Sequence, residues 1–254
     1  MLIQERYDEI LKVLKSEGAV KVSHLVKKFG VSLETVRRDL DYLEKEGKLK
    51  KVHGGALSLD KDENALNFFN RLDECGSEKR EIADIAIKYI REGSSIALDS
   101  GTTTFQVAKA LKSKFKNLTV VTNSLRVSNE LMGVEGFKVI LLGGIINPKE
   151  EATVGAWALS GMDNIFVDIA FIAVTGVSLK DGFTDYDLNM IEIQQKLMER
   201  AKERIILADS SKFNEVSLLK VSSVDYADYI ITDSKINEVI LNEFIENGIK
   251  VVAK

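Results

Sequence analysis

The sequence has little of what marks secreted, zinc-binding or membrane proteins. Its one cysteine, Cys75, has no disulfide partner, which favours a reducing cytoplasm. The two histidines, His24 and His53, lie far apart and without neighbouring thiols, so no zinc-ligand spacing can be assembled from them. Apolar runs are interrupted within about ten residues, whereas a membrane span needs roughly 20. The start of the chain also lacks the apolar core of a secretory signal. We therefore expect a globular cytoplasmic protein.

Two motifs that hold nucleotides are absent as well. The chain contains neither the phosphate loop G-x-x-x-x-G-K-[ST] nor the dinucleotide pattern G-x-G-x-x-G. A nucleoside triphosphate site is therefore not expected, and neither is a metal ion or another cofactor.

Charge is distributed unevenly along a chain that is long enough for about two domains. Residues 1–59 carry 12 Lys or Arg against 9 Asp or Glu, a balance of +3, and the remainder stands at −7. A basic first segment suggests a polyanionic partner for that segment alone. A solvated surface of mixed charge would give a similar balance.

The first 58 residues have the pattern of a helix-turn-helix. Apolar residues recur at helical spacing in three segments, of which the second is VSHLVKKFG and the third VSLETVRRDLDYLEKEG, and a glycine ends each one. In such an arrangement the second helix of the pair enters the major groove of DNA.

The polar face of the third segment carries the candidates for base contacts. Thr35, Arg38 and Tyr42 fall opposite the apolar stripe, and Arg38 suits a bidentate contact to guanine. Arg37 lies nearer the stripe, which suits a phosphate contact or packing of its stem. Ser32 at the helix entrance combines capping with a phosphate contact. A small helical bundle with ordinary surface arginines is the alternative.

A short hairpin is predicted after the third helix. KLKKVHGGALSL reads as two β-prone runs around a glycine pair, a β-wing whose lysines could lie along the sugar-phosphate backbone. An edge strand protected by charge is the alternative. The predicted DNA-binding residues are Ser32, Thr35, Arg37, Arg38, Tyr42, Lys48, Lys50, Lys51 and His53.

The rest of the chain predicts an α/β domain. Residues 59–76 are polar and without a clean period, as in a linker. After them, Val/Ile/Leu-rich runs alternate with amphipathic helices, which indicates a mostly parallel sheet covered on both faces. The predicted organisation is a winged helix-turn-helix domain at 1–58, a linker at 59–76 and an α/β domain at 77–254.

Ligands of such sheets bind beyond the carboxyl ends of the strands, where SIALDSGTTTFQVAKAL places a turn between a strand and a helix. Its N–H groups at residues 101–104 would lie at a helix N-terminus, where the dipole favours an anion. This predicts a phosphate site, with a threonine-capped helix as the alternative. Other strand ends carry Asn123, Ser124, Gly143 and Gly144.

Two stretches resemble a known family. VSHLVKKFGVSLETVRRDLDYLEKEGKLKKVHGGAL resembles the signature of the DeoR family of bacterial transcription regulators. The run LDSGTTT, VVTNS, LLGG and DGFTDYDLNMIEIQQKLMERAKERIILADSSKF is similar to that family's effector-sensing domain, whose fold resembles ribose-5-phosphate isomerase.

The resemblance implies a regulator, often a repressor of sugar-metabolism genes. It would bind double-stranded operator DNA as a homodimer or homotetramer, through a helix-turn-helix at about residues 20–39. Its effector would be a phosphorylated sugar or a related metabolite. The phosphate would be held by Ser100, Gly101, Thr102, Thr103 and Thr104, and Asp99 would accept a hydrogen bond from a sugar hydroxyl.

An isomerase of that fold would need a carboxylate base and groups that stabilise an enediolate. Glu192 could stand where the base stands, although a first-turn glutamate is also favoured by the helix dipole. The acidic cluster that such isomerases place after a central strand is replaced by IAVTGVS. The sequence therefore predicts a sensor without catalytic residues. The alternatives are a sugar phosphate isomerase with a DNA-binding head and an architectural DNA-binding protein whose α/β body only oligomerises.

One departure from the family concerns the cation at the ligand. These regulators often carry Glu-Val-Lys where this chain has Glu192-Ile193-Gln194, which leaves Lys212 as the nearby cation candidate, or as a solvated loop lysine. The full set of predicted effector residues is Asp99, Ser100, Gly101, Thr102, Thr103, Thr104, Asn123, Ser124, Gly143, Gly144, Glu192 and Lys212.

Overall fold

The computed structural model describes residues 3–17, 19–52, 55–58, 71–72 and 74–253. The chain divides into two units, residues 1–70 and 71–254. The domain boundaries expected at residues 58 and 76 stay predictions, since residues 59–70 lie outside the described ranges.

The first unit contains three helices and a small antiparallel sheet. Its elements are α1 (Ile3–Glu17), β1 (Ala19–Lys21), α2 (Val22–Phe29), α3 (Leu33–Lys45), β2 (Leu49–Val52) and β3 (Gly55–Ser58). The three helices and the β2–β3 hairpin confirm the predicted winged helix-turn-helix. The apolar stripes meet in one core, in which Ile10, Leu25 and Leu40 are almost fully buried. Strand β1 was not predicted, because its partner β3 lies far along the chain.

The second unit is built on a parallel sheet. Its strands are β4 (Ser95–Leu98), β5 (Leu118–Thr122), β6 (Phe137–Leu141), β7 (Ile145–Asn147), β8 (Ala152–Val154), β9 (Val167–Ala173), β10 (Gly176–Ser178), β11 (Gly182–Asp185), β12 (Ala201–Leu207), β13 (Leu219–Ser222), β14 (Tyr229–Ile231) and β15 (Val251–Val252). Its helices are α4 (Gly76–Ala86), α5 (Thr102–Leu111), α6 (Leu125–Leu131), α7 (Ala156–Ser160), α8 (Leu188–Glu199) and α9 (Glu238–Glu246).

Seven of these strands form the main sheet in the order β15-β14-β12-β9-β4-β5-β6, with every neighbouring pair parallel. This confirms the predicted α/β class. Residues 169–172 of β9 are all buried, and successive side chains of a strand point to opposite faces, so both faces of the sheet are covered there.

The strand order reverses between β4 and β9. The chain runs from β4 outward through β5 and β6, then crosses to β9 and proceeds in the other direction. Such a reversal opens a crevice at the carboxyl ends of the two central strands. The loops after β4 and β9 therefore meet at this point.

Two smaller sheets surround that crevice. Strands β10, β11 and β13 form an antiparallel sheet, and β7 pairs with β8 in a hairpin. All five of these strands are three or four residues long, too short for a recognisable alternation in the sequence. Within the described ranges, no helix is long and apolar enough to cross a membrane.

Candidate functional site

The predicted DNA-binding face begins at the start of α3. Ser32 is the N-cap, and its Oγ accepts from the Thr35 backbone N–H at 3.1 Å and lies 2.8 Å from the Thr35 hydroxyl. Arg37 and Arg38 are exposed, with the Arg38 Nε 3.4 Å from a Glu34 carboxylate oxygen. An ion pair of this exposed i, i+4 kind is weak, so the Arg38 guanidinium can be redirected to another acceptor at small cost.

Tyr42 continues the same face one turn further along α3. Its side chain is half-exposed, and its ring stacks on Tyr7 with the centroids 4.9 Å apart. The stacking leaves one edge of Tyr42 open to a partner while α1 supports the other side.

The predicted wing lysines fall into different situations. Lys48 is exposed. Lys51 pairs with Asp41, and its backbone N–H donates to Glu44 Oε1 at 2.7 Å, so this part of β2 is tied to α3. For Lys50 the structure describes the backbone within β2, and His53 lies outside the described residues.

A buried ion pair that the sequence pattern did not reveal holds α3 in place. Arg6 of α1 donates from Nε and Nη2 to the two oxygens of Asp39, at 2.7 and 2.9 Å. Both residues are buried, and the hydrogen bonds to the carboxylate raise the pKa of Arg6. A bidentate pair of this kind has a narrow geometry, so it fixes the rotation of α3 and therefore the direction of its exposed arginines. The sequence signal was an acidic residue beside the apolar stripe of α3.

The second unit contains a cavity of about 300 Å³ beyond the carboxyl ends of the central strands. The residues that line it come from the β4–α5 turn, the β7–β8 turn, the loops after β9, β11 and β12, helix α8, and the start of α4 with the segment before it. They are Arg71, Glu74, Cys75, Lys79, Asp99, Ser100, Gly101, Thr102, Thr103, Glu150, Ala173, Val174, Thr175, Asp185, Tyr186, Met190, Gln194, Leu207, Asp209, Ser211 and Lys212.

The β4–α5 turn contributes the amino end of a helix to this cavity. Gly101 is the N-cap of α5 and no side chain caps the first turn, so the alternative of a threonine-capped helix does not describe it. The first-turn N–H groups of Thr102 and Thr103 have no hydrogen-bond acceptor in the described part of the chain. Unpaired N–H groups and the helix dipole together favour an anion at this point.

Only glycine fits at position 101. A Cβ there would lie 2.4 Å from the Ala173 Cβ and 3.1 Å from Asp99 Oδ1. The turn therefore packs directly against the end of β9, which brings its backbone to the cavity wall.

The buried Asp99 carboxylate holds the β4–α5 turn through hydrogen bonds. Its Oδ1 accepts from the Gly101 N–H and the Thr104 hydroxyl, at 3.0 and 2.8 Å, and its Oδ2 accepts from the Ala173 N–H and Gln194 Nε2, at 3.1 and 3.3 Å. Burial raises the pKa of Asp99 to about 6, against the effect of these donors. We expected this carboxylate to accept a ligand hydroxyl. The structure corrects that expectation, because both of its oxygens already have protein donors.

Three cationic side chains line the cavity. Arg71 pairs with Glu150 and lies over the Tyr186 ring, 5.6 Å from its centroid. Buried Lys79 donates to backbone carbonyls, including that of Glu74 at 2.8 Å, and burial lowers its pKa. Lys212 is half-buried and has no ion pair with a described residue. Lys212 was predicted, whereas Arg71 was missed because it falls in the expected linker.

Several predicted effector residues are not brought to the cavity. Asn123 donates to the Thr153 carbonyl at 3.1 Å, and Ser124 caps α6 by accepting from the Val127 N–H at 3.2 Å. The β7–β8 hairpin pairs with this end of β5 through a bridge between Ser124 and Ala152 and so covers it. Gly143 and Gly144 lead into the same hairpin and do not line the cavity.

Two further predicted residues face elsewhere. Thr104 is fully buried, and its hydroxyl lies 2.8 Å from both Asp99 Oδ1 and the Gly101 carbonyl oxygen, which share its one hydrogen. Glu192 is exposed on α8, while Gln194 faces the cavity. Two residues turn about 200° around a helix, which explains why neighbours of one sequence motif point in nearly opposite directions.

Known proteins match both units. Residues 6–62 match the model of the DeoR-like helix-turn-helix domain, and residues 74–234 match that of the DeoR C-terminal sensor domain. The HTH-type transcriptional regulator GolR of Listeria innocua is 32% identical over 247 residues, which cover 97% of each chain. The glycerol-3-phosphate regulon repressor of Escherichia coli (strain K12) is 29% identical over 230 residues, or 91% of this chain and 90% of that protein.

A solved enzyme structure is also similar in part. Ribose 5-phosphate isomerase A from Methanocaldococcus jannaschii aligns with 55% of this chain and 55% of its own at 18% identity, with a TM-score of 0.41.

Proposed function

Because the chain belongs to the DeoR family of transcriptional regulators, we propose that it is a cytoplasmic repressor of sugar-metabolism genes whose operator binding responds to a phosphorylated sugar or a related metabolite. The first unit binds double-stranded operator DNA, and the second binds the metabolite in the 300 Å³ cavity. The observation that carries the effector proposal is the uncapped amino end of α5 in the wall of that cavity.

The cavity offers a phosphate several donors at once. The N–H groups at the start of α5 and the hydroxyls of Ser100, Thr102 and Thr103 lie on its wall, together with the ammonium of Lys212. A helix N-terminus binds phosphate without a dedicated cation, and a lysine nearby adds a charge that is otherwise unpaired among the described residues. A cavity of this size is at the lower end of the range of small-molecule sites, which suits a sugar phosphate.

On the first unit, the proposed DNA contacts are those of the exposed α3 face and the wing. Arg38 reads bases, Ser32 and Arg37 contact phosphates, and Thr35 and Tyr42 complete the face. The wing is assigned to the sugar-phosphate backbone of the DNA, with contacts from Lys48, Lys50, Lys51 and His53. Regulators of this kind read paired half-sites, so we propose at least a homodimer, or a homotetramer.

The route from ligand to DNA is proposed to start at residues 71–79. The second unit begins at Arg71. Four residues of this segment line the cavity, namely Arg71, Glu74, Cys75 and Lys79. A ligand phosphate competes with Glu150 for the Arg71 guanidinium and so changes the anchoring of the segment. To alter operator occupancy, the ligand must bind the two states unequally, by about 1–3 kcal/mol for typical coupling.

The isomerase alternative lacks a base in the cavity. Glu192, the residue considered for that role, is exposed on α8 and does not line the cavity. Proton transfer needs the base within hydrogen-bond reach of the substrate. We therefore propose that the ligand is bound and released unchanged.

The test is calorimetric titration of the full chain with a panel of pentose and hexose phosphates, triose phosphates and inorganic phosphate. We expect at least one phosphorylated compound to bind and to change operator affinity in a gel-shift assay. Thr103→Val should weaken that binding about tenfold, since one hydroxyl hydrogen bond to a charged group contributes about 1.5 kcal/mol.

Thr119→Val is the matched control, because Thr119 lies in β5 outside the cavity. Equal loss in both variants would contradict the assignment of the Thr103 hydroxyl to the phosphate. If no phosphorylated compound binds while DNA binding is intact, the alternative of a body that only oligomerises is favoured.

A further inference from the structure

One wall of the cavity is short of hydrogen-bond donors. Gln194 Nε2 lies 3.3 Å from Asp99 Oδ2, 3.2 Å from Asp185 Oδ2 and 3.0 Å from the Ala173 carbonyl oxygen. An amide nitrogen carries two hydrogens. Three acceptors therefore compete for two hydrogens, and at least one of them lacks a full hydrogen bond.

The other end of the same amide has the same shortage. Gln194 is 3% exposed, and its Oε1 has no hydrogen-bond partner in the described part of the chain. A buried acceptor without a donor costs free energy, and Gln194 lines the cavity. This oxygen is a second acceptor on the wall, besides the carboxylates, to which a ligand could donate a hydrogen bond.

The carboxylates of this wall also lack a paired cation among the described residues. Asp99 and Asp185 are 1% and 7% exposed, and neither forms an ion pair with a lysine or arginine of the described ranges. Burial raises the pKa of both carboxyl groups. The Arg71 guanidinium opposes the effect of burial on the pKa of Asp185 through space, but its ion pair is with Glu150. Two buried carboxylates that share one neutral amide favour a cationic group.

We propose that the effector is a phosphorylated amino sugar, whose ammonium group binds the Asp185 carboxylate and Gln194 Oε1 while its phosphate binds the amino end of α5. An ammonium has three donors and a positive charge, whereas a hydroxyl at the same carbon has one donor and none of the charge. This inference rests on the proposed phosphate site and adds the chemistry of the rest of the ligand.

The two subsites lie close enough for one small molecule. The Gly101 N–H binds Asp99 Oδ1 and Gln194 Nε2 binds Asp99 Oδ2, so the turn and the amide wall lie on either side of a single carboxylate. A hexose phosphate is long enough to reach both.

The experiment compares matched ligand pairs by calorimetry on the full chain at pH 7.5, which lies above the raised pKa of Asp99, about 6. The pairs are the 6-phosphates of glucosamine and glucose, of galactosamine and galactose, and of mannosamine and mannose, and inorganic phosphate is the common reference. In at least one pair we expect the amine to bind tenfold or more tightly than its hydroxyl counterpart.

The decisive variant is Gln194→Lys, which places a permanent ammonium on the wall. In this variant the amino sugar phosphate should bind at most twofold more tightly than its hydroxyl counterpart, and the hydroxyl counterpart should still bind. Gln195→Lys is the matched control, since the neighbouring side chain is exposed on α8 and the variant should keep the preference. If Gln194→Lys melts early, Asp185→Asn serves as the second variant and should also reduce the preference.

The outcomes separate this inference from the proposed function. Binding of phosphorylated sugars without preference for any amine overturns the amino-sugar inference and leaves the phosphate site standing. If none of the six sugar phosphates binds, and inorganic phosphate does not bind either, both the amino-sugar inference and the phosphate site are overturned. An amine preference that survives Gln194→Lys unchanged overturns the assignment of the ammonium to this wall.

Discussion

Substitution of Gly101 by alanine should damage the ligand site while leaving the fold largely intact. The backbone at Gly101 is extended, with φ −67° and ψ 155°, which alanine adopts without strain. The damage therefore comes from contact alone. The new Cβ would lie 2.4 Å from the Ala173 Cβ, whereas two carbons pack at about 3.5–4.0 Å.

The size of the effect follows from that distance. Relief of the contact requires the turn to move by about 1 Å, which is enough to break well-aligned hydrogen bonds from its N–H groups to a bound anion. Each such bond to a charged group contributes about 1.5–3 kcal/mol. Loss of two of them weakens binding by about 100-fold or more, while overpacking lowers the free energy of unfolding by about 1–3 kcal/mol.

The assay is calorimetric titration with the phosphorylated compound that binds most tightly, beside urea unfolding. Gly143→Ala is the matched control, since a Cβ at Gly143 meets no atom within 4 Å and the residue lies outside the cavity. The double variant Gly101→Ala/Ala173→Gly removes the atom that clashes and should recover part of the affinity. Unchanged binding in Gly101→Ala would refute the assignment of the turn to the ligand.

Two further predictions concern DNA and pH. Arg38→Ala should weaken specific operator binding by about 1–3 kcal/mol and barely change binding to unrelated DNA, which a filter-binding comparison of the two DNAs checks; an unchanged specificity ratio would exclude base contacts by Arg38. The raised pKa of Asp99, about 6 against an ordinary 3.8, means that the folded protein holds this proton more tightly than the unfolded chain. The contribution of Asp99 to stability is therefore present below pH 4 and is lost as pH rises to about 6, by up to about 3 kcal/mol. Urea unfolding of the wild type and Asp99→Asn between pH 4 and 7 should show the difference between them change across that window, and a constant difference would contradict the raised pKa.

Local patterns predicted most of the long elements. The helices of the first unit follow apolar periodicity, and six of the seven strands of the main sheet follow apolar runs, which depend on neighbouring residues alone. The two-residue strand β15 was not predicted. Strands β1, β7 and β8 were missed because each has three residues and forms only through pairing with a segment that the local pattern does not identify.

The candidate cavity shows the same division. The residues of the β4–α5 turn that line it were predicted, because a strand, a glycine and a helix follow one another in the chain. Arg71 and Gln194 were not, since their place in the cavity depends on the packing of distant segments against that turn.

The sequence by itself determined the winged helix-turn-helix, the parallel α/β sheet and a turn rich in N–H and hydroxyl donors at the end of β4. These follow from periodicity and from the chemistry of adjacent residues. Only the tertiary structure decided which strand ends remain open: the β7–β8 hairpin covers Asn123 and Ser124, whereas the reversal of strand order between β4 and β9 leaves the LDSGTTT turn on a cavity. That choice depends on crossovers between segments far apart in the chain, and no local pattern contains it.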